Sequence, residues 1–194
     1  MFDLNHIAPR DKEGETRTIE DAMRFLLPCL ISASLVLSAC ANNGPATNSE
    51  GVYKIRSGDT ADIQYRMLDS VNALRAGAGV APLQLNASLT AAAETHAKDM
   101  SRQQRAWPFG SDGSTPYDRI QRAGYFGGLV AEVYSQSFET ELETLTAWVN
   151  DAAWGSELLD KDATDMGFAW HQDSNGLIWW AITLGTTLPS GVSS

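Results

Sequence analysis

The chain has 194 residues, of which 43% are hydrophobic, and a formal net charge of −10. This length allows one domain of ordinary size together with a targeting segment. The acidic balance argues against nucleic acid as a partner, because no basic surface is available to displace counterions from phosphates. It favours solubility or cationic partners.

The first part of the chain reads as an export signal. Residues 25–37 are apolar and contain a proline, and they are too few to span a bilayer, which takes about 20 residues. The run Leu-Ser-Ala-Cys that ends at Cys40 resembles the bacterial lipoprotein box, in which the cysteine is lipidated and becomes the mature N-terminus. We therefore expect a signal peptide over residues 23–39 and a lipid on Cys40 that anchors the protein to a membrane. Ala41 is not the Asp that retains enterobacterial lipoproteins at the inner membrane, which favours the outer membrane. Cys29 lies inside the signal, so the mature domain is expected to lack disulfides.

Residues 1–22 fit this signal badly, because acidic residues crowd a region that is usually positive in exported proteins. A start at Met23 gives an ordinary signal opening, so we interpret residues 1–22 as an error of start assignment. The polar residues that follow the lipid site predict a flexible tether over residues 40–58. The domain is then expected over residues 59–187, with a frayed tail over residues 188–194.

Two amphipathic helices are predicted at the start of the domain. Apolar residues at helical spacing predict a first helix over residues 59–75, which Gly77 and Gly79 end. Asn86 is placed to cap a second helix whose apolar stripe includes His96. We interpret His96 as a buried, hydrogen-bonded core residue.

A Gly/Ser/Asp loop over residues 110–114 leads into a short helix. Thr115 can cap this helix, Pro116 suits its first position, and Asp118 can return a hydrogen bond to the cap. Gly124 is expected to end it in a left-handed conformation.

A strand and a third long helix follow the short helix. Residues 129–134 read as the strand, and Thr140 with Glu143 forms a capping box for the helix. The residues predicted for the inner face of this helix are Leu142, Leu145, Trp148, Val149 and Ala152.

Two further strands close the domain, over residues 166–172 and 177–184. The Asn-Gly pair at 175–176 between them is a strong hairpin signal. Trp179 and Trp180 are adjacent on a strand and must point to opposite faces, so one of the two is expected to be less buried. A mixture of helices with a small antiparallel sheet is an α+β fold.

The order of these motifs resembles the CAP superfamily, the domain shared by cysteine-rich secretory proteins, antigen 5 and plant pathogenesis-related proteins. Together with the lipoprotein box, the resemblance is to the bacterial lipoprotein branch of that superfamily. It implies a three-layered α-β-α sandwich. The segments that carry it lie within residues 62–185 and are residues 83–89, 91–100, 110–125, 131–132, 140–150 and 178–185.

Members of this family often have a cleft in which two histidines and two acidic residues can hold a divalent cation. The resemblance places Pro108 at the first histidine and Trp154 at the second, and it matches the acidic positions to Glu132 and, less closely, to Asp151. Neither proline nor tryptophan can ligate a metal, and carboxylates alone suit hard ions rather than zinc. We therefore expect no metal and no cofactor. The residues predicted to line the remodelled cleft are Trp107, Pro108, Phe109, Glu132, Asp151 and Trp154.

The aromatic residues of the cleft suggest a non-catalytic binding domain for a small apolar ligand, a lipid, a peptide, a glycan ring or a partner protein. Equally, they could plug a cleft that has lost its function. An alternative is a cation-assisted hydrolase or peptidase, which would need His96 or His171 to meet Glu132 and Asp151 in one pocket. A serine hydrolase has little support because the chain lacks a Gly-x-Ser-x-Gly elbow. A third possibility is a purely structural envelope lipoprotein.

Glu132 has two interpretations of its own. A carboxylate on an otherwise apolar strand is costly to bury unless it is paired or hydrogen-bonded. Glu132 either faces the cleft as a binding group, or it serves the fold as a partner for Arg119 or as an acceptor for amides of the 110–114 loop. The sequence favours the structural role.

Overall fold

The computed structural model describes residues 53–137 and 139–187. The predicted start site, signal peptide, lipidation at Cys40, most of the tether and the C-terminal tail lie outside the described residues. Within this part of the chain, no helix is both long enough and apolar enough to cross a membrane.

Five α-helices and four strands make up the described part of the domain, after a short 3-10 turn at Ser57–Asp59. In chain order they are α1 (Thr60–Gly77), β1 (Gln84–Leu85), α2 (Ala87–Gln103), α3 (Pro116–Arg122), β2 (Gly128–Ser137), α4 (Glu141–Asn150), α5 (Ala152–Leu158), β3 (Asp165–Gln172) and β4 (Ile178–Thr186).

The four strands form one sheet in the order β1-β3-β4-β2. β4 lies in the middle and pairs antiparallel with both β3 and β2. β1 pairs parallel with β3, so the sheet is mixed rather than wholly antiparallel as the sequence predicted. β1 was missed because its two residues are too few to show a strand pattern. β2 is the edge strand on the other side.

Helices cover both faces of the sheet, as the predicted α-β-α sandwich requires. One core lies between the sheet and the helices α1 and α4, and it contains Trp180. The opposite core lies against α2 and contains Trp179. Both tryptophans are therefore buried, and the expectation that one would be more exposed is wrong. A single strand with a helical layer on each side hides alternate side chains equally well.

The helix caps follow the predicted pattern closely. The Asn86 side chain accepts hydrogen bonds from the first amides of α2. Complete capping boxes open α3 at Thr115 and α4 at Thr140. Gly124 has φ of 77°, the left-handed conformation predicted after α3.

The predicted inner face of the third long helix needs a correction. Leu145 and Trp148 are buried, but Leu142 is 40% exposed and Val149 is 38% exposed. Ala152 does not belong to this helix, because α4 ends at Asn150 and a separate helix begins. Neighbouring α1 covers only part of α4, so the apolar stripe of α4 is wider than the core that it meets.

Arg75, near the end of α1, is fully buried. Its guanidinium donates hydrogen bonds to the carbonyl oxygens of Ala81, Leu158, Asp160 and Ala163. Because these acceptors lie on the chain after α1 and around the end of α5, Arg75 ties the two regions together.

Candidate functional site

Glu132 on β2 is paired with a buried cation. Its Oε2 atom accepts a hydrogen bond from Nη2 of Arg119 at 2.6 Å, and the Thr183 hydroxyl donates to Oε1 at 3.4 Å. Glu132 is 8% exposed and Arg119 is 2% exposed. Glu132 is therefore paired with Arg119, one of the partners that the sequence offered for it.

Arg119 also holds the loop that precedes its own helix. Its Nη1 donates to the carbonyl oxygen of Ser114 at 3.2 Å, and its Nη2 donates to that of Pro108 at 2.9 Å. Arg119, rather than Glu132, thus contacts the 110–114 loop. The same guanidinium therefore bonds both the carboxylate of Glu132 and the main-chain carbonyl of Pro108.

His96 on α2 lies against the same carboxylate. Its Nε2 atom is 3.6 Å from Oε2 of Glu132, and its ring meets that of Tyr134 edge-on at 5.1 Å. His96 is fully buried, as predicted, but neither ring nitrogen has a hydrogen-bond partner among the described residues. The expectation of a hydrogen-bonded histidine is therefore wrong. Burial and the nearby Arg119 cation lower the pKa of His96 to about 3, so its imidazole is neutral in ordinary buffers.

Burial acts on Glu132 in the opposite direction. Removal from water raises the pKa of this carboxyl, and this effect outweighs the stabilisation of its charged form by Arg119 and Thr183. The nearby carboxyl group of Glu157 raises the pKa further. The site thus combines a neutral imidazole with a carboxyl that gains a proton more readily than usual.

Helix α5 brings Trp154 and Glu157 to this cluster. The Trp154 ring packs edge-on against Tyr134, with 5.3 Å between the ring centroids. The Oε2 atom of Glu157 is buried without a hydrogen-bond partner in the described part of the chain, and burial raises the pKa of this carboxyl. Glu157 was not predicted, because periodicity alone does not separate α5 from α4. The spacing of three residues from Trp154, which puts both on one helical face, was the available signal.

The other predicted aromatic residues pair with each other. The rings of Trp107 and Phe109 meet edge-on at 5.3 Å, and the Arg105 guanidinium lies 4.3 Å from the Trp107 ring centroid. Gln103 accepts from the Trp107 indole N–H and donates to the carbonyl oxygen of Phe109. Phe109 is 42% exposed. These contacts attach the pair to the end of α2, whereas Trp154 packs against β2.

Asp151 has a local role at the start of α5. Its Oδ1 accepts hydrogen bonds from the amides of Ala153 and Trp154, so it is the N-cap of that helix. The side chain is exposed. Asp151 therefore fixes the start of the helix that carries Trp154.

His171 lies elsewhere on the sheet. It is 40% exposed at its side chain and its Nε2 is 3.6 Å from Oδ1 of Asp173. Glu132 pairs with Thr183 on β4, and Thr183 pairs with Gly167 on β3. His171 lies four residues beyond Gly167 on that strand. At about 3.3 Å per residue this is a separation of roughly 13 Å along the sheet. Of the two histidines considered for an enzyme, only His96 reaches Glu132.

These side chains do not fit the divalent cation that the family cleft often holds. Pro108 directs its carbonyl at Arg119, and the Trp154 indole offers no lone pair in its ring plane. The guanidinium of Arg119 already supplies the positive charge beside Glu132. Within residues 53–137 and 139–187, no group of three or more His, Cys, Asp or Glu side chains is placed to hold a metal ion.

An apolar groove lies between α1 and α4. The groove is open to solvent and has a volume of about 540 Å³. A second hollow of about 240 Å³ shares Leu74 and Val149 with it and continues along α5. The residues that line the first are Ser70, Ala73, Leu74, Leu142, Leu145, Thr146, Val149 and Asn150.

The buried imidazole predicts an acid-sensitive domain. The pKa of His96 is depressed in the folded state, so its contribution to stability is complete above the ordinary value of 6.5 and is lost as pH falls towards about 3. Glu132 changes the stability in the opposite direction. Because its pKa is raised in the folded state, its protonation at low pH favours the folded protein. In a Glu132→Gln variant, we expect the free energy of unfolding to fall by about 2 kcal/mol between pH 7 and pH 5, more than in the wild type.

Urea denaturation at the two pH values measures this difference. A Glu132→Gln/His96→Gln double variant should lose the slope, and replacement of the exposed His171 by Gln should keep the wild-type profile. Equal stability of Glu132→Gln at pH 7 and pH 5 would contradict the assignment to His96.

Comparison with known proteins identifies the family. The sequence profile of the cysteine-rich secretory protein (CAP) family matches residues 68–183. No curated protein matches the chain. The fold is similar to that of an outer surface protein of Borrelia burgdorferi, with a TM-score of 0.61 and 18% identity over 71% of this chain and 99% of that one.

Two other solved structures show the same fold. An extracellular protein of Bacillus anthracis that contains an SCP domain has a TM-score of 0.60 and 19% identity, over 74% of this chain and 45% of its own. A cysteine-rich secretory protein of Staphylococcus aureus has a TM-score of 0.53 and 14% identity, over 72% of this chain and 45% of its own. The family profile spans more than half of the chain, and the sandwich is that of these structures, so the protein belongs to the cysteine-rich secretory protein (CAP) family.

Proposed function

We propose that this protein is an extracytoplasmic, non-catalytic binding domain that takes an apolar ligand in the groove between α1 and α4. The observation that carries the proposal is the groove itself. Its volume of about 540 Å³ lies within the range of small-molecule sites, which are mostly apolar clefts of roughly 300–1,000 Å³. Leu74, Leu142 and Val149 line it and are all more than one third exposed.

The lining favours an elongated apolar molecule. The hollow along α5 shares Leu74 and Val149 with the groove, so the two form a continuous path. The polar residues of the lining are neutral apart from Asp151 at the far end. A lipid tail or an apolar segment of a partner would cover side chains that water now contacts. Each Å² of apolar surface removed from water would favour binding by about 25 cal/mol.

The aromatic cleft is a second candidate for ligand binding. The exposed ring of Phe109 and its partner Trp107 offer flat apolar surface at the end of α2. Such surfaces bind sugar rings and other flat groups by stacking. We keep the proposal that Trp107, Pro108, Phe109, Glu132, Asp151 and Trp154 form a ligand cleft.

The state of the buried cluster supports binding rather than catalysis. A general base must reach the proton that it removes, directly or through one water. His96 is fully buried with its ring against that of Tyr134, and the buried Glu132 is bonded to Arg119. The cation-assisted hydrolase would need Asp151 in the same pocket as Glu132 and one of the two histidines, and the Asp151 side chain is exposed and caps α5.

The proposed location is the cell envelope, with the protein anchored by a lipid on Cys40, in the outer membrane. The lipoprotein box supports the anchor. The names of two relatives, an outer surface protein and an extracellular protein, support export.

Binding of a neutral apolar fluorophore, N-phenyl-1-naphthylamine, tests the proposed function and locates the site. In the groove we expect Leu142→Asp and Val149→Asp each to weaken binding at least tenfold, about 1.4 kcal/mol, because a carboxylate would be desolvated by the probe. Both positions are exposed, so the variants should fold. Tyr117→Asp, which puts the same charge on an exposed aromatic residue of α3, is the matched control and should bind as the wild type does.

A loss of binding in Phe109→Asp, with normal binding in the two groove variants, would move the site to the aromatic cleft. If the wild-type protein does not bind the probe at all, the proposal of an apolar-ligand domain is wrong.

A further inference from the structure

The apolar groove runs along two helices that lie side by side in the same direction. Arg66 on α1 bonds Glu141 at the start of α4, and Leu74 and Val149 line both hollows towards the other end. From Arg66 to Leu74, and from Glu141 to Val149, each helix advances eight residues. At 1.5 Å per residue this is about 12 Å. The groove is therefore parallel to both helix axes and about two helical turns long.

The shape of the groove suits a third helix. Ser70 and Ala73 are small, so they let the main chain of an incoming segment come close to α1. Leu142 and Val149 of α4 offer exposed apolar surface beside them. In helix-in-groove recognition, an amphipathic helix inserts apolar side chains at positions i, i+3 or i+4, and i+7. Such a set spans about 10 Å, which matches the length of the groove.

Exposed carboxylates follow both sides of the groove. On α1, Asp69 precedes Ala73 by four residues and Asp62 precedes Asp69 by seven, so these positions share one stripe of the helix. Ala73 lines the groove, and the two carboxylates therefore lie along its edge. On α4, Glu143 precedes the lining residue Thr146 by three residues and lies along the opposite edge.

The arginines of these two helices bind other groups. Arg66 bonds the buried Glu141, Arg75 is buried and bonds main-chain carbonyls, and α4 contains neither lysine nor arginine. Asp151 adds a further carboxylate where the groove meets the hollow along α5. The groove is thus an apolar strip between two negatively charged edges, on a chain whose formal net charge is −10.

We propose that the groove between α1 and α4 docks a cationic amphipathic helix of a partner protein. The apolar stripe of that helix lies against Leu74, Leu142 and Val149, and lysine or arginine side chains on its two flanks face Asp69 on one edge and Glu143 on the other. This inference rests on the proposed function, because it names the kind of apolar segment that the groove binds.

Charge distinguishes this partner from a lipid. An acyl chain would cover the same apolar side chains but would gain nothing from the charged edges. The negative head group of a fatty acid would be repelled by them. A helix with basic flanks satisfies both features of the groove, and the acidic surface attracts it from a distance.

Fluorescence anisotropy of a labelled synthetic peptide tests the docking site on the purified protein. The probe is a helix-forming peptide of about 14 residues that contains only leucine and lysine, with leucine on one face. A peptide of the same composition, reordered so that leucine is spread around the helix, is the matched control. We expect the first peptide to bind about tenfold more tightly than the second. Raising the salt concentration from about 0.05 M to about 0.5 M should weaken its binding, because salt screens the charged edges.

Two variants separate the charged edge from the apolar strip. Asp62→Asn/Asp69→Asn should weaken binding of the amphipathic peptide about tenfold. It should leave binding of N-phenyl-1-naphthylamine unchanged, because that fluorophore is neutral. Ala73→Trp, which fills the groove from an exposed position, should weaken both probes about tenfold. Glu94→Gln/Asp112→Asn removes two exposed carboxylates outside the groove and should bind both probes as the wild type does.

Equal binding of the two peptides overturns the inference, as does unchanged peptide binding in Asp62→Asn/Asp69→Asn or in Ala73→Trp. Displacement of the fluorophore by a long-chain fatty acid but not by the amphipathic peptide would assign the groove to lipid. A dimer in sedimentation that Ala73→Trp dissociates would assign the groove to a second copy of the chain, and either result overturns the inference. If the wild-type protein binds the fluorophore but not the peptide, this inference alone fails. If it binds neither probe, the proposed function fails as well.

Discussion

Replacement of Arg119 by Met is expected to lower the free energy of unfolding by about 3–5 kcal/mol, one of the largest effects available in this domain. The guanidinium is buried and bonds Glu132, Pro108 and Ser114, so its removal strands a buried carboxyl and two carbonyl oxygens. Glu132 can limit the damage by taking up a proton. The loss should therefore be larger at pH 8 than at pH 5.

A double variant separates the lost ion pair from lost packing. Arg119→Met/Glu132→Leu removes both charges, and buried ion pairs can often be replaced by apolar side chains at little cost. We expect it to recover much of the stability that Arg119→Met loses, as measured by urea denaturation at pH 8. Lys98→Met, which breaks an exposed pair with Glu94, is the control and should change little. A double variant no more stable than the single one would show that Arg119 acts through packing and the loop carbonyls instead.

Gly167→Ala is expected to cost about 3 kcal/mol or more, although it adds one methyl group. A Cβ at Gly167 would lie 2.0 Å from the carbonyl carbon of Leu89 and 2.3 Å from the amide nitrogen of Thr90. Both are main-chain atoms of α2, so the whole helix would have to move away from β3. His96 and Tyr134 meet across the same helix–sheet interface, and the cleft would be disturbed with it.

Gly77→Ala is the matched control. Gly77 is the last residue of α1, and a Cβ there meets no atom within 4 Å. A lower entropy of the unfolded chain should make this variant as stable as the wild type or more stable by about 0.4–1 kcal/mol. Thermal unfolding of the two glycine variants measures this difference. An unchanged melting temperature of Gly167→Ala would mean that α2 is not held against β3 as tightly as the geometry indicates.

Local sequence signals predicted the fold well because their causes are local. A cap at Asn86 and the capping boxes at Thr115 and Thr140 each need only the next three residues. The periodic stripe of α2 predicted which of its residues are buried, down to His96. The hairpin followed from its Asn-Gly turn.

The candidate site was less predictable because it depends on distant contacts. The pairing of Glu132 with Arg119 was one of several options in the sequence, and the structure selected it through the approach of α3 to β2. Exposure of Leu142 and Val149 depends on how much of α4 is covered by α1, which periodicity cannot show. Glu157 was missed for a related reason. Periodicity alone does not show that α4 ends at Asn150 and that a separate helix begins after Asp151.

Helix α5 has a further thermodynamic consequence, because its residues line the apolar hollow as well as the cleft. If a molecule in the hollow changes how Trp154 packs on Tyr134, linkage requires a ligand beside Trp154 to change the affinity of the hollow by the same factor.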